Sequence, residues 1–208
     1  MAQAANHHLQ DFFLSLSDLS ELTQKSMDQL VSELSQFSEL PSVSRNNKSG
    51  VPPKIVRQYL SSLGYRYPHQ VVSFQMLKGG VSKTTSALNF GLRAAQYGAR
   101  VLFIDLDQQA NLSFCLGVED ENLPVWVDIV EKKVSCEQAA IQIEDGVDLI
   151  PSSLNNSVLD RVLLNSQRNF AQAVAQPLKS IKSFYDLIVF DTAPSLSVIN
   201  TAVTCASD

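Results

Sequence analysis

The sequence predicts an α/β fold, a doubly wound and mostly parallel sheet, preceded by an N-terminal helical extension. From about residue 70 onward, short apolar segments of strand length alternate with segments whose apolar residues recur at helical spacing. The strand segments are mostly runs of apolar residues rather than strict alternations, which is typical of parallel strands covered by helices on both faces. The first of them runs into a glycine-containing loop that opens a helix, a connection suited to binding an anion.

Four strands and five helices follow from these patterns in residues 70–208. The predicted strands are Val71–Leu77, Arg100–Leu106, Val147–Ile150 and Asp186–Phe190. The predicted helices are Thr84–Tyr97, Val125–Val130, Cys136–Ile143, Val158–Leu164 and Phe170–Ile181. Gly98 is placed to end the first helix, and Pro151 stops the third strand. The regular alternation predicts one domain over residues 70–208.

Residues 1–40 form a separate region that we predict to be helical from Leu9 onward. An apolar stripe with spacings of 3, 4 and 3 residues is formed by Met27, Leu30, Leu34 and Phe37. This spacing is typical of a helix that packs on a partner helix. The partner helix belongs either to the same chain or to a second copy, in which case the region is a dimerisation arm.

Residues 41–69 form a basic region that begins as a polar, turn-rich linker. Pro52-Pro53 stand where a helix can begin, and Gly64 is placed to end it. From residue 40 to residue 70 there is no acidic side chain, and the basic ones are Arg45, Lys48, Lys54, Arg57 and Arg66. These five are candidates for DNA contacts in a helix-turn-helix-like element. The alternative is a solvated connector that carries a few positive charges.

Composition narrows the function classes further. A hydrophobic content of 45% with 18% charged residues is that of a globular chain and excludes a disordered one. The net charge of -5 argues against a protein that coats nucleic acid over its whole surface, although it allows a local basic patch. Three widely spaced cysteines without a CxxC pattern argue against a disulfide framework. No apolar run approaches the ~18 residues of a membrane helix, so we expect a cytoplasmic protein without a membrane segment.

The glycine-containing loop is the most informative segment of the chain. Its eight residues, which we expect to bind a nucleotide, are Lys78, Gly79, Gly80, Val81, Ser82, Lys83, Thr84 and Thr85. Glycines allow backbone N–H groups to turn around a phosphate, and the helix that follows adds the positive end of its dipole. Lys83 is placed to reach the β- and γ-phosphates, Thr84 to ligate Mg²⁺, and Thr85 to contact the α-phosphate.

The loop departs from an ordinary Walker A sequence at three positions. Leu77 stands where the standard form has its first glycine, and Ser82 replaces the glycine before the lysine. A second lysine, Lys78, precedes the glycine pair. This Lys-Gly-Gly-x-x-Lys-Thr arrangement resembles the deviant Walker A motif of the ParA/MinD group of P-loop ATPases.

Two further segments resemble motifs of the same group. Asp105 and Asp107 close an apolar strand in a sequence similar to Asp-x-Asp-Pro-Gln-Ala/Gly-Asn, although Gln108 replaces the usual proline. By this match Asp107 positions the attacking water, with Asp105 supporting it and contacting the metal's water shell. Asp191 closes a later apolar strand that resembles Walker B, where a carboxylate holds Mg²⁺ opposite Thr84. The implied catalytic residues are Lys78, Lys83, Asp107 and Asp105, and the implied metal-site residues are Thr84, Asp191 and Asp105.

Within the group, the resemblance is closest to ParA-type partition ATPases of the plasmid type, which carry an N-terminal extension. It implies an Mg-ATP-dependent ATPase that binds ATP and ADP. Two ATP-bound copies would form a homodimer in which Lys78 of each contacts the other's phosphates. The dimer would bind DNA non-specifically on the nucleoid, and a ParB-type centromere-binding protein would stimulate hydrolysis.

Two other functions remain open at this stage. One is a nucleotide-gated positioning protein whose cargo is not DNA, and the other is an operon autorepressor with little turnover. Relatives in the group continue beyond the equivalent of Asp208 with further strands and a basic patch. We therefore expect this chain to be the N-terminal portion of a longer product.

Overall fold

The computed structural model describes residues 12–37, 42–43, 49–165 and 169–208. The elements that precede the main sheet are β1 (Leu14–Ser15), α1 (Leu16–Thr23), α2 (Met27–Leu34), β2 (Ser42–Val43), β3 (Ser49–Val51) and α3 (Pro53–Ser62). The three short strands pair antiparallel in the order β1-β3-β2. Serine side chains begin both early helices, because Ser15 and Ser26 each accept a hydrogen bond from a backbone N–H of the first turn.

The remaining elements build the main sheet and its covering helices. The strands are β4 (Gln70–Phe74), β5 (Val101–Asp105), β6 (Ile141–Glu144), β7 (Val147–Ile150) and β8 (Leu187–Asp191). The helices are α4 (Lys83–Gln96), α5 (Asn111–Cys115), α6 (Trp126–Val130), α7 (Cys136–Ala139), α8 (Leu159–Asn165), α9 (Phe170–Ile181) and α10 (Val198–Ala206). Two 3₁₀ turns, Leu154–Val158 and Lys182–Phe184, lead into α8 and follow α9.

The sheet has the strand order β4-β8-β5-β7-β6, and only β6 is antiparallel to its neighbour. The predicted mostly parallel, doubly wound fold is therefore confirmed. Residues of β5 alternate between two apolar cores. Leu102 and Ile104 face the core under α6, α8, α9 and α10, whereas Val101 and Phe103 face the core under α4 and α5. Helices thus cover both faces of the sheet, which is why its central strands β5 and β8 are apolar up to their terminal aspartates.

One predicted element of residues 70–208 is wrong, and the region predicted to be helical from Leu9 onward contains a strand, β1 (Leu14–Ser15), before α1. The segment Cys136–Ile143 is not a single helix, because α7 ends at Ala139 and β6 begins at Ile141. Ile141 and Ile143 alternate with polar residues, and this period of two pairs β6 with the edge of β7. The sheet consequently has five strands among the described residues rather than the four that we predicted. The first strand is also shorter than expected, since β4 ends at Phe74 where the loop begins.

The N-terminal elements share a third apolar core. It contains Leu30 and Leu34 of the predicted stripe, together with Val56, Tyr59 and Leu60 of α3. Met27 of the same stripe is 46% exposed. In this structure the buried part of the stripe therefore packs within the chain, and the dimerisation arm stays a prediction.

An ion pair attaches α3 to the main domain. The guanidinium of Arg57 donates to Asp186 at 2.5 Å and to the backbone carbonyl of Gly98 at 2.8 Å. It also stacks 4.5 Å from the ring centroid of Tyr67. The chain approaches so closely that a Cβ on Gly98 would lie 2.7 Å from the backbone nitrogen of Arg57. The N-terminal elements are therefore fixed at the start of β5 and β8.

The contacts with Arg57 and Arg100 keep the Asp186 carboxyl ionised although it is buried. Its side chain is only 4% exposed. Burial by itself would raise the pKa of Asp186, but hydrogen bonds from Arg57 and from the backbone N–H of Arg100 outweigh it, and the pKa lies below the ordinary value of 3.8. A carboxyl whose pKa is depressed on folding adds stability above its unfolded pKa and loses that contribution as the pH falls through the folded value.

Replacing Arg57 by glutamine should destabilise the protein by roughly 2–4 kcal/mol at pH 7, because it leaves the buried Asp186 carboxylate with only the longer ion-pair contact of 3.5 Å to Arg100 Nε. Lys54→Gln, on the exposed side of the same helix, is the matched control and should change stability by less than about 0.5 kcal/mol. Urea unfolding measures both variants. The difference between wild type and Arg57→Gln should shrink as the pH falls below ~3.8 and should vanish only below the depressed pKa of folded Asp186, where its carboxyl is protonated. Equal effects of the two substitutions would contradict this assignment.

Candidate nucleotide-binding site

The three predicted motifs meet at the carboxyl end of the central strands. Asp105 at the end of β5 is the register partner of Asp191 at the end of β8. Asp191 is in turn the partner of Phe74, the last residue of β4 before the loop. The carboxyl ends of parallel strands at a change in strand order are where α/β folds bind ligands. Sequence positions more than 100 residues apart are thereby joined in one site.

The loop presents an open cradle before α4. Gly80 and Ser82 both have positive φ, 72° and 59°, so the backbone turns sharply before Lys83 starts the helix. A Cβ built on Gly79 or Gly80 would meet no atom within 4 Å. Ser82 makes no side-chain cap on α4, so it does not satisfy the backbone N–H groups of the first turn. This combination of space, free N–H groups and a helix N-terminus fits a phosphate chain.

Lys83, Thr84 and Asp191 form a tight polar cluster beside this cradle. The Lys83 ammonium pairs with Asp191 Oδ1, and the Thr84 hydroxyl donates to Asp191 Oδ2 at 2.6 Å. The side chains of Lys83 and Asp191 are 8% and 0% exposed. An ammonium for phosphate oxygens beside a hydroxyl and a carboxylate for a hard divalent cation is the donor set that an Mg-nucleotide requires. The residues present therefore fit the nucleotide and metal that the sequence predicts.

Asp105 is held by the loop that follows it. Its Oδ1 accepts the backbone N–H of Asp107 at 3.1 Å, and its Oδ2 accepts the N–H and the hydroxyl of Ser113 at 2.9 and 2.8 Å. Burial raises the pKa of Asp105 to about 7, although the hydrogen bonds from Ser113 oppose the shift. Asp107 is also buried, and its Oδ1 accepts the N–H of Gln109 at 3.0 Å. The two carboxylates thus differ in their contacts. Asp105 accepts three hydrogen bonds from the protein, whereas Asp107, at the start of the loop, accepts one.

The other predicted site residues are more exposed. Lys78 and Thr85 are exposed in the loop and the first turn of α4, and Val81 is partly buried. Leu77 and Met76 beside them are 64% and 52% exposed. The individual roles of these residues stay predictions.

The five DNA-contact candidates are not brought together as one set. Arg45 and Lys48 lie outside the described residues. Lys54 and Arg66 are exposed, whereas Arg57 is engaged with Asp186. Arg66 borders a cleft of about 420 Å³ that is also lined by Tyr65, His69 and Arg100.

Sequence reasoning missed Ser113 and Asp186. Ser113 contacts Asp105 from eight residues away and Asp186 contacts Arg57 from 129 residues away. For Ser113 the signal present was its place near the start of a helix after the Asp-x-Asp segment. For Asp186, the sequence shows only an acidic residue before an apolar segment, which does not indicate that Arg57 is its partner.

Replacement of Lys83, which pairs with Asp191, should destabilise the ligand-free protein. Lys83→Met leaves the fully buried Asp191 carboxylate without its cation, and we expect a loss of about 3 kcal/mol in urea unfolding. Adding Asp191→Asn should recover part of this loss, giving a coupling of roughly 1–3 kcal/mol. Lys78→Met is the control, because this lysine is exposed in the same loop. Strictly additive effects of Lys83→Met and Asp191→Asn would refute the pairing.

Comparison with known proteins places the chain in a family. The AAA domain family matches residues 69–208. Chromosome partitioning protein ParA of Caulobacter vibrioides is 32% identical over 145 residues, which cover 68% of this chain and 54% of the relative. Cell division protein PomZ of Myxococcus xanthus is 31% identical over 157 residues, which cover 74% of this chain and 49% of the relative. The chain spans about half the length of these curated relatives.

Solved structures agree with the sequence relatives. An ATP complex of McdA from Cyanothece matches with a TM-score of 0.64 at 30% identity, covering 68% of this chain and 55% of that one. Cobyrinic acid a,c-diamide synthase from Mycobacterium smegmatis, with ADP and magnesium bound, matches with a TM-score of 0.63 at 29% identity, covering 66% of this chain and 56% of that one. In the described residues of this chain, no helix is both long and apolar enough to cross a membrane. The family match over residues 69–208 and the ParA and PomZ relatives, each more than 30% identical over more than two thirds of this chain, show that the chain belongs to the ParA-type partition ATPases of the AAA domain family.

Proposed function

We propose that this protein hydrolyses Mg-ATP, dimerises when it binds ATP, and moves a DNA cargo with a ParB-type partner. The observation that carries the proposal is the cluster of Lys83, Thr84 and Asp191 beside an open glycine loop. The relatives named for partition and cell division, and the ATP-bound neighbour, support the same function. We also propose that the protein acts in the cytoplasm on the nucleoid.

The site's own residues suit binding and orientation. Backbone N–H groups of the loop and the ammonium of Lys83 would hold the phosphates, and Lys83 would leave Asp191 to do so. Thr84 and Asp191 would hold Mg²⁺, Asp191 through water, and the ion would supply neutralisation of phosphate charge. These contacts align the terminal phosphate with the strand ends, where Asp107 lies.

Asp107 is the residue that we assign to the attacking water. Its Oδ1 is engaged by Gln109, which fixes the carboxylate, and Oδ2 is the atom that we assign to accepting a hydrogen bond from the water. Asp105 is fully buried and accepts three hydrogen bonds from the protein. Its part in the reaction is therefore to support Asp107 rather than to meet the water itself.

Asp107→Ala should retain ATP binding and lose at least about 100-fold in the rate of hydrolysis, because the water is no longer oriented. Nucleotide affinity from fluorescent ATP titration and phosphate release measure the two properties separately. Lys83→Ala should abolish binding, which makes it the reference for a lost site. Turnover of Asp107→Ala at the wild-type rate would show that another group positions the water.

The loop surface has features of an interface. Lys78 is exposed beside Gly79 and Gly80, and Met76, Leu77 and Leu196 are each more than half exposed near the same strand ends. Large exposed apolar side chains around a charged site are typical of a surface that a partner covers. We propose that the partner is a second ATP-bound copy whose phosphates Lys78 contacts, so that ATP binding shifts the population to the dimer.

The basic N-terminal region supports DNA binding. Of the candidate cations in the described residues, Lys54 and Arg66 are exposed and are the ones that we assign to phosphate contacts. The net charge of the whole chain is -5, so this contact would be local rather than spread over the surface. Tyr65 lies beside Arg66 and is exposed enough to stack on a base.

Salt-sensitive DNA binding should appear with wild type plus ATP and should be lost in Lys78→Ala, because the dimer doubles the number of phosphate contacts. Mobility shift over a salt series and sedimentation with ATP or ADP measure binding and dimerisation together. An ATP-dependent dimer without DNA binding at any salt would favour a non-DNA cargo. Binding confined to one operator in a protein without turnover would favour an autorepressor.

A further inference from the structure

The loop between β5 and α5 is closed by one carboxylate. Asp105 contacts the N–H of Asp107 at the start of the loop and both the N–H and the hydroxyl of Ser113 in α5, just beyond its end. The intervening residues contain Ala110, whose φ of 53° is a strained conformation for a residue with a Cβ. Backbone in this region persists only where the surroundings hold it. The loop that carries Asp107 therefore has its shape set by the Asp105–Ser113 contact.

Ser113 is itself held from the other side. Its hydroxyl donates to Asp105 Oδ2 at 2.8 Å and accepts the backbone N–H of Ser152, after the end of β7, at 3.0 Å. The side chain is 1% exposed. Because the N–H of Ser152 uses the hydroxyl oxygen as acceptor, the hydroxyl proton is directed to Asp105. The orientation of Asp105 thus depends, through Ser113, on the segment after β7, which belongs to neither the loop nor β5.

We propose that Ser113 is a positioning residue for hydrolysis: it holds Asp105, and through Asp105 the loop geometry that presents Asp107 to the attacking water. The proposal rests on the proposed ATPase function. The Ser113 hydroxyl bonds to Asp105 and Ser152, not to Lys83 or Asp191. We therefore expect removal of this hydroxyl to slow the hydrolytic step without weakening the binding of the phosphates. The expected signature is a fall in kcat at nearly constant affinity for ATP.

The structure offers a matched control in the same buried network. Ser152 Oγ accepts from Asn156 Nδ2 at 2.8 Å, and Asn156 Oδ1 accepts the N–H of Val127 at 3.1 Å. Ser152→Ala therefore removes one buried hydroxyl and orphans one donor, as Ser113→Ala does. It leaves every contact of Asp105 in place. A purely structural role for Ser113 would make the two variants alike.

The experiment measures steady-state Mg-ATP hydrolysis, ATP affinity and urea unfolding for the full chain and its variants. We expect Ser113→Ala to lower kcat by about 10- to 100-fold, since small misplacement of a catalytic group has effects of this size. Its affinity for ATP should stay within about 3-fold, and Ser152→Ala should keep kcat within about 2-fold of wild type. Ser113→Thr, which retains the hydroxyl, should recover most of the lost kcat. Ser113→Cys fills the site with a poor donor and replaces Ser113→Ala if the alanine variant does not fold.

Each outcome decides the proposal. Unchanged kcat in Ser113→Ala or Ser113→Cys overturns it, and so does an equal loss in Ser152→Ala, because the hydroxyl would then matter only to folding. Turnover in wild type that is absent from Lys83→Ala keeps the ATPase function standing in either case. A wild-type chain without turnover overturns the ATPase proposal and this one with it.

Discussion

A fully buried carboxylate, that of Asp191, organises the site. Without a cation it would be costly at the end of an apolar strand, and the structure places Lys83 and Thr84 on it from the first turn of α4. This contact attaches the loop to the central strand of the sheet, so that the glycines have a defined place in which to turn. The same contact keeps two nucleotide-binding groups oriented before any ligand arrives. When Lys83 exchanges Asp191 for phosphate oxygens, little further desolvation of its ammonium is needed, because the side chain is already buried.

A second carboxylate, Asp105, lies beside Asp191 on the neighbouring strand and is stabilised in another way. Its hydrogen-bond partners are the N–H of Asp107 and the N–H and hydroxyl of Ser113 in α5, and no lysine pairs with it in the described part of the chain. Two adjacent acids therefore avoid sharing one cation, because Asp191 is satisfied by residues of α4 and Asp105 by Asp107 and by Ser113 of α5. The consequence is a division of tasks in which one acid belongs to the phosphate side and the other to the loop that carries Asp107.

Local patterns predicted the main domain well where they were unambiguous. Val147–Ile150 and Phe170–Ile181 begin and end where the structure has them, because an apolar run bounded by Pro151 and a long amphipathic run each have one interpretation. The Cys136–Ile143 segment failed, since a short helix and a two-residue alternation follow one another without a break. The loop, Asp107 and Asp191 could be placed from motifs. Arg57, Asp186 and Ser113 could not, because their partners are chosen by the three-dimensional arrangement and a charge in a sequence does not state whether it faces solvent or another charge.

Helix α4 has the loop at one end and the N-terminal elements at the other. It is 14 residues long, or about 21 Å, and begins at Lys83. Near its far end Arg93 pairs with Asp18 of α1 at 2.9 Å, and Arg57 and Tyr67 bind the turn that follows it. Helix α4 therefore connects the phosphate site at its N-terminal end to the extension at its C-terminal end. Through α4 the phosphate loop and the N-terminal elements are thus connected by direct side-chain contacts rather than by the connecting chain alone.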